Sequence, residues 1–330
     1  MIKIGNIELP EFPLLLAPME DVSDPPYRRL CKMHGADMMY SEFISSEGLI
    51  RDAMKSKQKL DIFDYERPVG IQIFGGDEEA MALSAKIVET VNPDLVDINF
   101  GCPVKKVVCK GAGAGVLKDI DLMIRLTKAV VNSTHLPVTV KTRLGWDNDS
   151  INIMEVAERL QDCGIKALTI HARTRAQMYK GEADWNYISA VKQNPNIEIP
   201  IFGNGDINSA EKALEYKNKY ACDGIMIGRA AIGYPWIFNE IKHFFKTGEK
   251  LAEPTVEMRL EAVKQHAEWS ADWKGEKLGL IEMRQHYSNY FRGIPHFKDH
   301  RRKFLEVMTL NEINDLIGET MEFYREFEMH

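Results

Sequence analysis

Short apolar runs alternate with longer amphipathic stretches through about the first 230 residues of the chain. The apolar runs occupy positions 12–17, 37–41, 69–74, 95–98, 138–142, 167–171, 199–203 and 224–227. Each has the length of a buried strand. Between them, segments such as 79–91, 119–131, 154–163 and 209–216 repeat their apolar positions at helical spacing, several behind an Asp or Ser placed to cap. Strands that alternate with helices pair in parallel through crossovers. Eight such units in this length match a closed (β/α)8 barrel, the TIM-barrel class of α/β folds, for which about 250 residues is typical. A doubly wound open sheet is the alternative, but no GxGxxG follows the first strand.

From about Lys246 the texture changes. Helical patterns run over 254–273, 278–290, 300–307 and 310–327 without strand signals. The expected organisation is therefore a barrel over 1–245 and a separate all-helical C-terminal domain over 246–330.

Composition narrows the class without changing this picture. A chain of 330 residues, 45% hydrophobic and 28% charged, has room for a substantial core. Its N-terminus lacks a long apolar segment with a cleavage site, and no apolar run approaches the roughly 18 residues of a membrane span. A cytosolic protein with no membrane attachment is expected. The five cysteines are scattered and form no CxxC pair, so neither a disulfide framework nor a metal site is expected. A net charge of −7 argues against general affinity for nucleic acid, although a local basic patch can hide within it.

A barrel places its chemistry at the C-terminal ends of its strands. Every end offers candidate residues, polar in all but the first: Pro18 and Met19, Ser41 and Glu42, Gln72, Asn99 and Cys102, Lys141 and Arg143, His171 and Arg173, Asn204 to Asp206, and Gly228 with Arg229. Taken singly, Gln72 could satisfy backbone groups, Lys141 could snorkel and His171 could be a hydrogen-bonded core residue. Eight such ends on one rim, seven of them polar, are harder to dismiss. Cys102 lies in DINFGCPVKKVVCKGAGAG (97–115), a basic, glycine-rich loop, which suits a chemical role better than a packing one.

Two ends indicate a ligand class. The GNGD segment before the helix from Ser209, and the IGRA segment, offer amides, a helix N-terminus and a guanidinium after strands seven and eight, the usual phosphate position of this fold. Lys141 and Gln72 could meet a flat heteroaromatic ring. Flavin mononucleotide satisfies both demands, and a sugar-phosphate aldolase or isomerase would satisfy the first.

Residues 14–29 (LLLAPMEDVSDPPYRR), the 97–115 loop, VKTRLGW (140–146), LTIHARTRAQMYKGEADW (168–185), FGNGDI (202–207) and IGRAAIGYPWIF (227–238) resemble the tRNA-dihydrouridine synthase family, most closely its bacterial B-type members. The resemblance covers nearly the whole chain. It implies an FMN-containing barrel, a helical domain that holds tRNA, and NADPH-dependent reduction of D-loop uridines. Carried over by position, Pro18, Met19, Glu20, Gln72, Lys141, His171, Asn204, Gly205, Asp206, Gly228 and Arg229 would contact FMN. Cys102 would donate the proton, while Asn99, Arg143 and Tyr179 would recognise the uracil.

The chemistry suits these residue types. Hydride delivered to C6 of uracil leaves charge on C5 and O4, and C5 must be protonated. A cysteine with a pKa of about 8.5 is mostly thiol near neutrality. Lys105, Lys106 and Lys110 would weaken that acid by favouring thiolate, so they are expected to point outward, toward RNA phosphates. Arg143 can stabilise the developing enolate and Asn99 can match an imide edge. The target nucleotide must be turned out of the tRNA fold.

Within the tail, 284–303 carries Arg284, Arg292, Lys298, Arg301, Arg302 and Lys303 against the single acid Asp299, with Tyr287, Tyr290, Phe291 and three histidines interleaved. This stripe is expected to grip phosphates and stack on bases. A flavin barrel acting on a small pyrimidine such as dihydroorotate would share the cofactor half without needing the stripe. A non-catalytic tRNA-binding protein would keep the stripe and could dispense with Cys102. A monomer is expected.

Overall fold

The structure is a computed structural model that describes residues 1–328. A hairpin of β1 (Ile2–Ile4) and β2 (Ile7–Leu9) precedes nine further strands: β3 (Leu14–Leu16), β4 (Met39–Tyr40), β5 (Ile44–Ser45), β6 (Val69–Phe74), β7 (Leu95–Asn99), β8 (Val138–Arg143), β9 (Ala167–His171), β10 (Ile201–Asn204) and β11 (Gly224–Ile227). The parallel order is β3-β11-β10-β9-β8-β7-β6-β4, with β5 continuing the edge of β6 beyond β4. Leu16 N–H donates to Met38 O at 2.9 Å, which joins the first stave to the second. The barrel of the sequence reading is therefore present, and its second stave is broken into β4 and β5.

Local chemistry starts the helices where the sequence places them. Asp24, Asp77, Asp119 and Ser209 each accept the backbone N–H three residues on. These caps satisfy donors that a helix cannot satisfy itself. The hairpin, too short to announce itself by alternation, closes the N-terminal end of the barrel: Ile4 and Leu9 join Leu15, Tyr40, Phe202 and Met226 in one buried cluster.

Four helices follow the last barrel helix (Ile237–Thr247): Val256–Lys274, Glu276–Tyr290, Lys298–Phe304 and Leu310–Glu328. Their own apolar cluster includes Leu260, Leu280, Met283, Tyr287 and Phe304, and it also takes Trp236 from ahead of the boundary. The tail sits over the first barrel helix (Pro25–Met33). Tyr27 packs against a tilted His286 ring at 4.5 Å and stacks on His266 at 5.2 Å, its hydroxyl donates to Ala231 O, and Arg29 lies 4.0 Å over the Trp269 ring. Among the described residues no helix is long and apolar enough to cross a membrane.

Candidate active site

Parallel register sets the floor of the barrel mouth in layers. Gln72, Asp97 and Thr139 are lateral partners; Asn99, Lys141 and Thr169 form the next row; Arg143, His171 and Asn204 form the one above. Alternate residues of a strand share a face, so polar side chains two apart rise inside the barrel together. A cavity of about 1150 Å³ opens above them, between the strand ends and the tail helices.

Of the sequence-predicted residues, Pro18, Met19, Glu20, Asn99, Cys102, Lys141, Arg143, His171, Tyr179, Asn204, Gly205, Asp206, Gly228, Arg229 and Arg292 line this cavity. Gln72, Arg284, Arg301, Arg302 and Lys303 do not. The tail also contributes Arg259 and Gln285, which the sequence reading did not single out.

Cys102 is buried, with 7% of its surface exposed. Burial pushes its thiol above the ordinary value; the Val104 amide, Arg143 and Lys141 pull the other way without prevailing, and Glu20 adds to the rise. The side chain is thus a protonated thiol near neutrality. The loop lysines 105, 106 and 110 are exposed, as expected.

Lys141 titrates at about 8, lowered by burial and by the Arg143 charge, with Asp97 opposing. Arg143 is buried and lowered to about 10 by the same loss of solvent, so both remain cations at pH 7. Three N–H groups of Arg143 donate to Gly101 O, Thr174 O and Met178 O at 2.7, 3.1 and 2.9 Å. That grip fixes the 174–182 loop, which sets the Tyr179 ring 5.6 Å from the Arg143 guanidinium and 4.9 Å from that of Arg229. His171 is held neutral by burial and by the cations around it.

The rim after β10 and β11 is built for an anion. Gly205 has φ +126°, and a Cβ there would lie 2.8 Å from Ala183 Cβ and 3.2 Å from His171 Cδ2, so only glycine fits. Asp206 accepts from Arg173 Nη2 and Ala183 N at 2.7 and 2.8 Å and lies 3.4 Å from Arg229 Nη2. Burial alone would raise its pKa, yet the bonds from Arg173 and Ala183 and the two guanidinium charges hold it below the usual range. Asp206 is therefore an anchor for Arg229 and Arg173. It also lines the cavity with 26% of its side chain exposed, so the anchoring adds to the cofactor contact expected of it and does not replace it. Arg229 keeps more than half its side chain exposed, at 56%, available to a ligand anion.

Packing bears on three further expectations. Asn99 does line the cavity, but its Oδ1 accepts the N–H groups of Gly101 and Cys102 at 2.9 and 2.8 Å and its Nδ2 donates to Gln72 at 2.7 Å. It holds the cysteine loop with its oxygen, and one Nδ2 N–H is left over for a ligand in the cavity. Gln72 is fully buried below it, bound to Asp97 on the other side, and so lies under the floor. In the tail stripe the cations and the aromatics part company. Arg301 and Arg302 are exposed, whereas Tyr287, Tyr290 and Phe291 pack inward beside Phe304, where no base can stack. Arg284 turns inward as well, with Nη2 3.3 Å from Met308 Sδ. The sequence signal for this split was present in the helical period, which puts neighbours in a stripe on opposite faces.

A closed parallel barrel with a buried thiol and desolvated cations at its C-terminal mouth, capped by a helical tail, belongs to the TIM-barrel enzymes. Solved structures agree on the fold: a morphinone reductase variant in complex with tetrahydroNAD superposes with a TM-score of 0.54 at 12% identity, over 76% of this chain and 91% of that one. Residues 15–326 match the family model described as dihydrouridine synthase. The chain is 40% identical over 305 residues to a tRNA-dihydrouridine synthase B of Pseudomonas aeruginosa, covering 92% of this chain and 91% of the relative. It is 39% identical over 302 residues to a probable tRNA-dihydrouridine synthase of Rickettsia conorii, covering 91% and 90%. The chain belongs to the dihydrouridine synthase family, and is an oxidoreductase that forms dihydrouridine.

Proposed function

We propose that this enzyme acts on uridines of tRNA as a B-type synthase, holding flavin mononucleotide in the barrel mouth and drawing electrons from NADPH, as a cytosolic monomer. The residues present fit such a group. Arg229, anchored by Asp206, and the amides around Gly205 and Gly228 suit a phosphate; Lys141, kept cationic on a desolvated floor, suits a ring that gains negative charge. When bound, a flavin supplies the hydride for C6 of uracil.

The chain supplies the rest. The Cys102 S–H bond breaks as its proton passes to C5, and the thiolate left behind is stabilised by Lys141 and Arg143 until a solvent proton restores it. Arg143, with three N–H groups occupied, has the remaining ones for a uracil carbonyl that gains charge. Tyr179, half exposed at 51% and flanked by two guanidiniums, offers a face for the extruded base. Residues 1–245 carry the chemistry and 246–330 grip the RNA, with Arg292 at the seam between them.

One observation carries this reading: a buried, protonated thiol beside desolvated cations in a cavity that extends up to the tail. Cys102→Ala is the test. Bound flavin should keep its spectrum and its reduction by NADPH, while dihydrouridine formation in bulk tRNA falls by about 10²- to 10⁴-fold, the usual share of a general acid. Undiminished tRNA reduction would refute the role, and faster turnover of free uridine or orotate than of tRNA would favour a small-pyrimidine enzyme.

A further inference from the structure

Beneath Cys102 runs a chain of side-chain amides with a single possible direction. The N–H groups of Gly101 and Cys102 need an acceptor, so Asn99 must turn Oδ1 toward them. Its Nδ2 then faces Gln72, which must answer with Oε1 at 2.7 Å. The Nε2 of Gln72 is left pointing at Asp97, whose Oδ2 accepts it at 2.5 Å, while Asp97 Oδ1 accepts from Thr139 Oγ1 at 2.5 Å. An amide can be turned end for end at little steric cost. Nothing in Asn99 or Gln72 alone chooses between the two orientations, and Asp97, as a carboxylate, can only accept.

All three side chains are buried: Gln72 and Asp97 almost fully, Asn99 to within 6%. In such surroundings a donor facing a donor, or an acceptor facing an acceptor, is expensive. The carboxylate thus sets the Gln72 amide, Gln72 sets the Asn99 amide, and Asn99 sets the turn that carries the thiol.

We propose that Asp97 is a positioning residue for Cys102, fixing the pose of the cysteine turn through the direction of the Gln72 and Asn99 amides. The consequence for proton donation rests on the dihydrouridine reading above; the effect on the turn itself does not.

The direction can be reversed by exchange. In Asn99→Asp the new carboxylate still accepts from the Gly101 and Cys102 amides but can no longer donate to Gln72. Gln72 must then flip, which brings its Oε1 against the Asp97 carboxylate. Adding Asp97→Asn relieves this, since the introduced amide donates to Gln72 Oε1 and accepts from Thr139, so every group is paired with the whole chain running the other way. The exchange conserves net charge and nearly conserves volume.

The readouts are the alkylation rate of Cys102 by iodoacetamide in the intact protein, resolved from the other cysteines by peptide mass and followed against pH, and kcat for tRNA. For Asn99→Asp the alkylation rate and its pH midpoint should move and kcat should fall by about 10- to 100-fold, the range expected for unpairing a buried polar group. The double variant should bring the alkylation profile back toward that of the unmodified protein and recover at least about ten-fold in kcat. Equal behaviour of the single and double variants in alkylation would overturn the proposal. So would a double variant that restores the melting temperature while the alkylation profile stays displaced, because the chain would then be structural only. A restored profile together with full turnover by Cys102→Ala would leave the positioning intact and remove the acid role.

Discussion

Replacing Asp206 by Asn probes how the barrel builds its anion rim. The native carboxylate takes Arg173 Nη2 and Ala183 N on one oxygen and draws Arg229 with the other. Arg173 is 2% exposed, while 26% of the Asp206 side chain meets solvent. Breaking a buried ion pair by removing one partner costs about 3–5 kcal/mol. Solvent on Asp206, the carbonyls of Lys180 and Gly181 that still hold Arg173, and the retained acceptor of Asn reduce this to about 2 kcal/mol. With about 2.1 cal/mol/K of unfolding entropy per residue over 330 residues, a loss of that size lowers the melting temperature by about 3 °C.

The pH dependence fixes the sign. Because Asp206 is held below the usual carboxylate range, it contributes stability that is complete above the unfolded value, about 3.9, and that is lost as pH falls through the lower folded value. The gap in melting temperature between the native protein and the variant should therefore be full at pH 7 and shrink on acidification below about pH 4. In the same melts, added flavin mononucleotide should stabilise the variant less, since Arg229 has lost its anchor. No difference at pH 7, or a gap that widens in acid, would refute the argument.

Two further outcomes follow from other parts of the fold. The histidines between barrel and tail, His266 and His286, are neutral by burial, His286 with its pKa down at about 3, so the unfolded chain takes up protons more readily; stability should fall from about pH 6.5 toward pH 3, by up to about 1.4 kcal/mol per pH unit for each, as read by acid unfolding. Substituting Arg301 and Arg302 together by Ala should reduce the slope of log affinity for tRNA against log salt by up to about 0.9 for each phosphate left without its cation, and an unaltered slope would place the RNA elsewhere. Surface substitution is the better design here than removing 246–330, because truncation would bare Tyr27 and strip Trp236 of its partners.

Strand ends were legible because a parallel barrel translates sequence into height: a polar residue closing an apolar run emerges at the mouth whatever its neighbours do. This located Lys141, Arg143, His171 and Arg229 without any tertiary information. The hairpin Ile2–Ile4 and Ile7–Leu9 was not legible, since three residues carry too little alternation to distinguish a strand from a loop. Its role also depends on an opening that exists only once the barrel has closed.

The residue roles that were missed share one cause. Sequence reading assigns a polar group to the ligand it could bind, whereas in a crowded mouth most polar atoms are spent on one another. Asn99, read as a uracil contact, spends its oxygen on two backbone amides, and Asp206, read as a cofactor contact, also anchors two arginines; both line the cavity. The period of two did mark Asp97 and Asn99 as sharing the inward face of β7, but Gln72, their common partner, comes from β6, and only the register Gln72↔Asp97 brings them level. The same reasoning separates the lysines around Cys102 from the thiol. Lys105 and Lys106 lie within four positions of it in the chain, yet the charges that act on it are those of Arg143, Glu20 and Lys141, because a strand end faces the barrel axis and the following helix turns its cations to solvent. A reader of the sequence who counted hydrogen-bond demand along each inward face, before assigning any residue to a ligand, would find that Arg143 has two N–H groups to spare and Asn99 one, its oxygen being fully used.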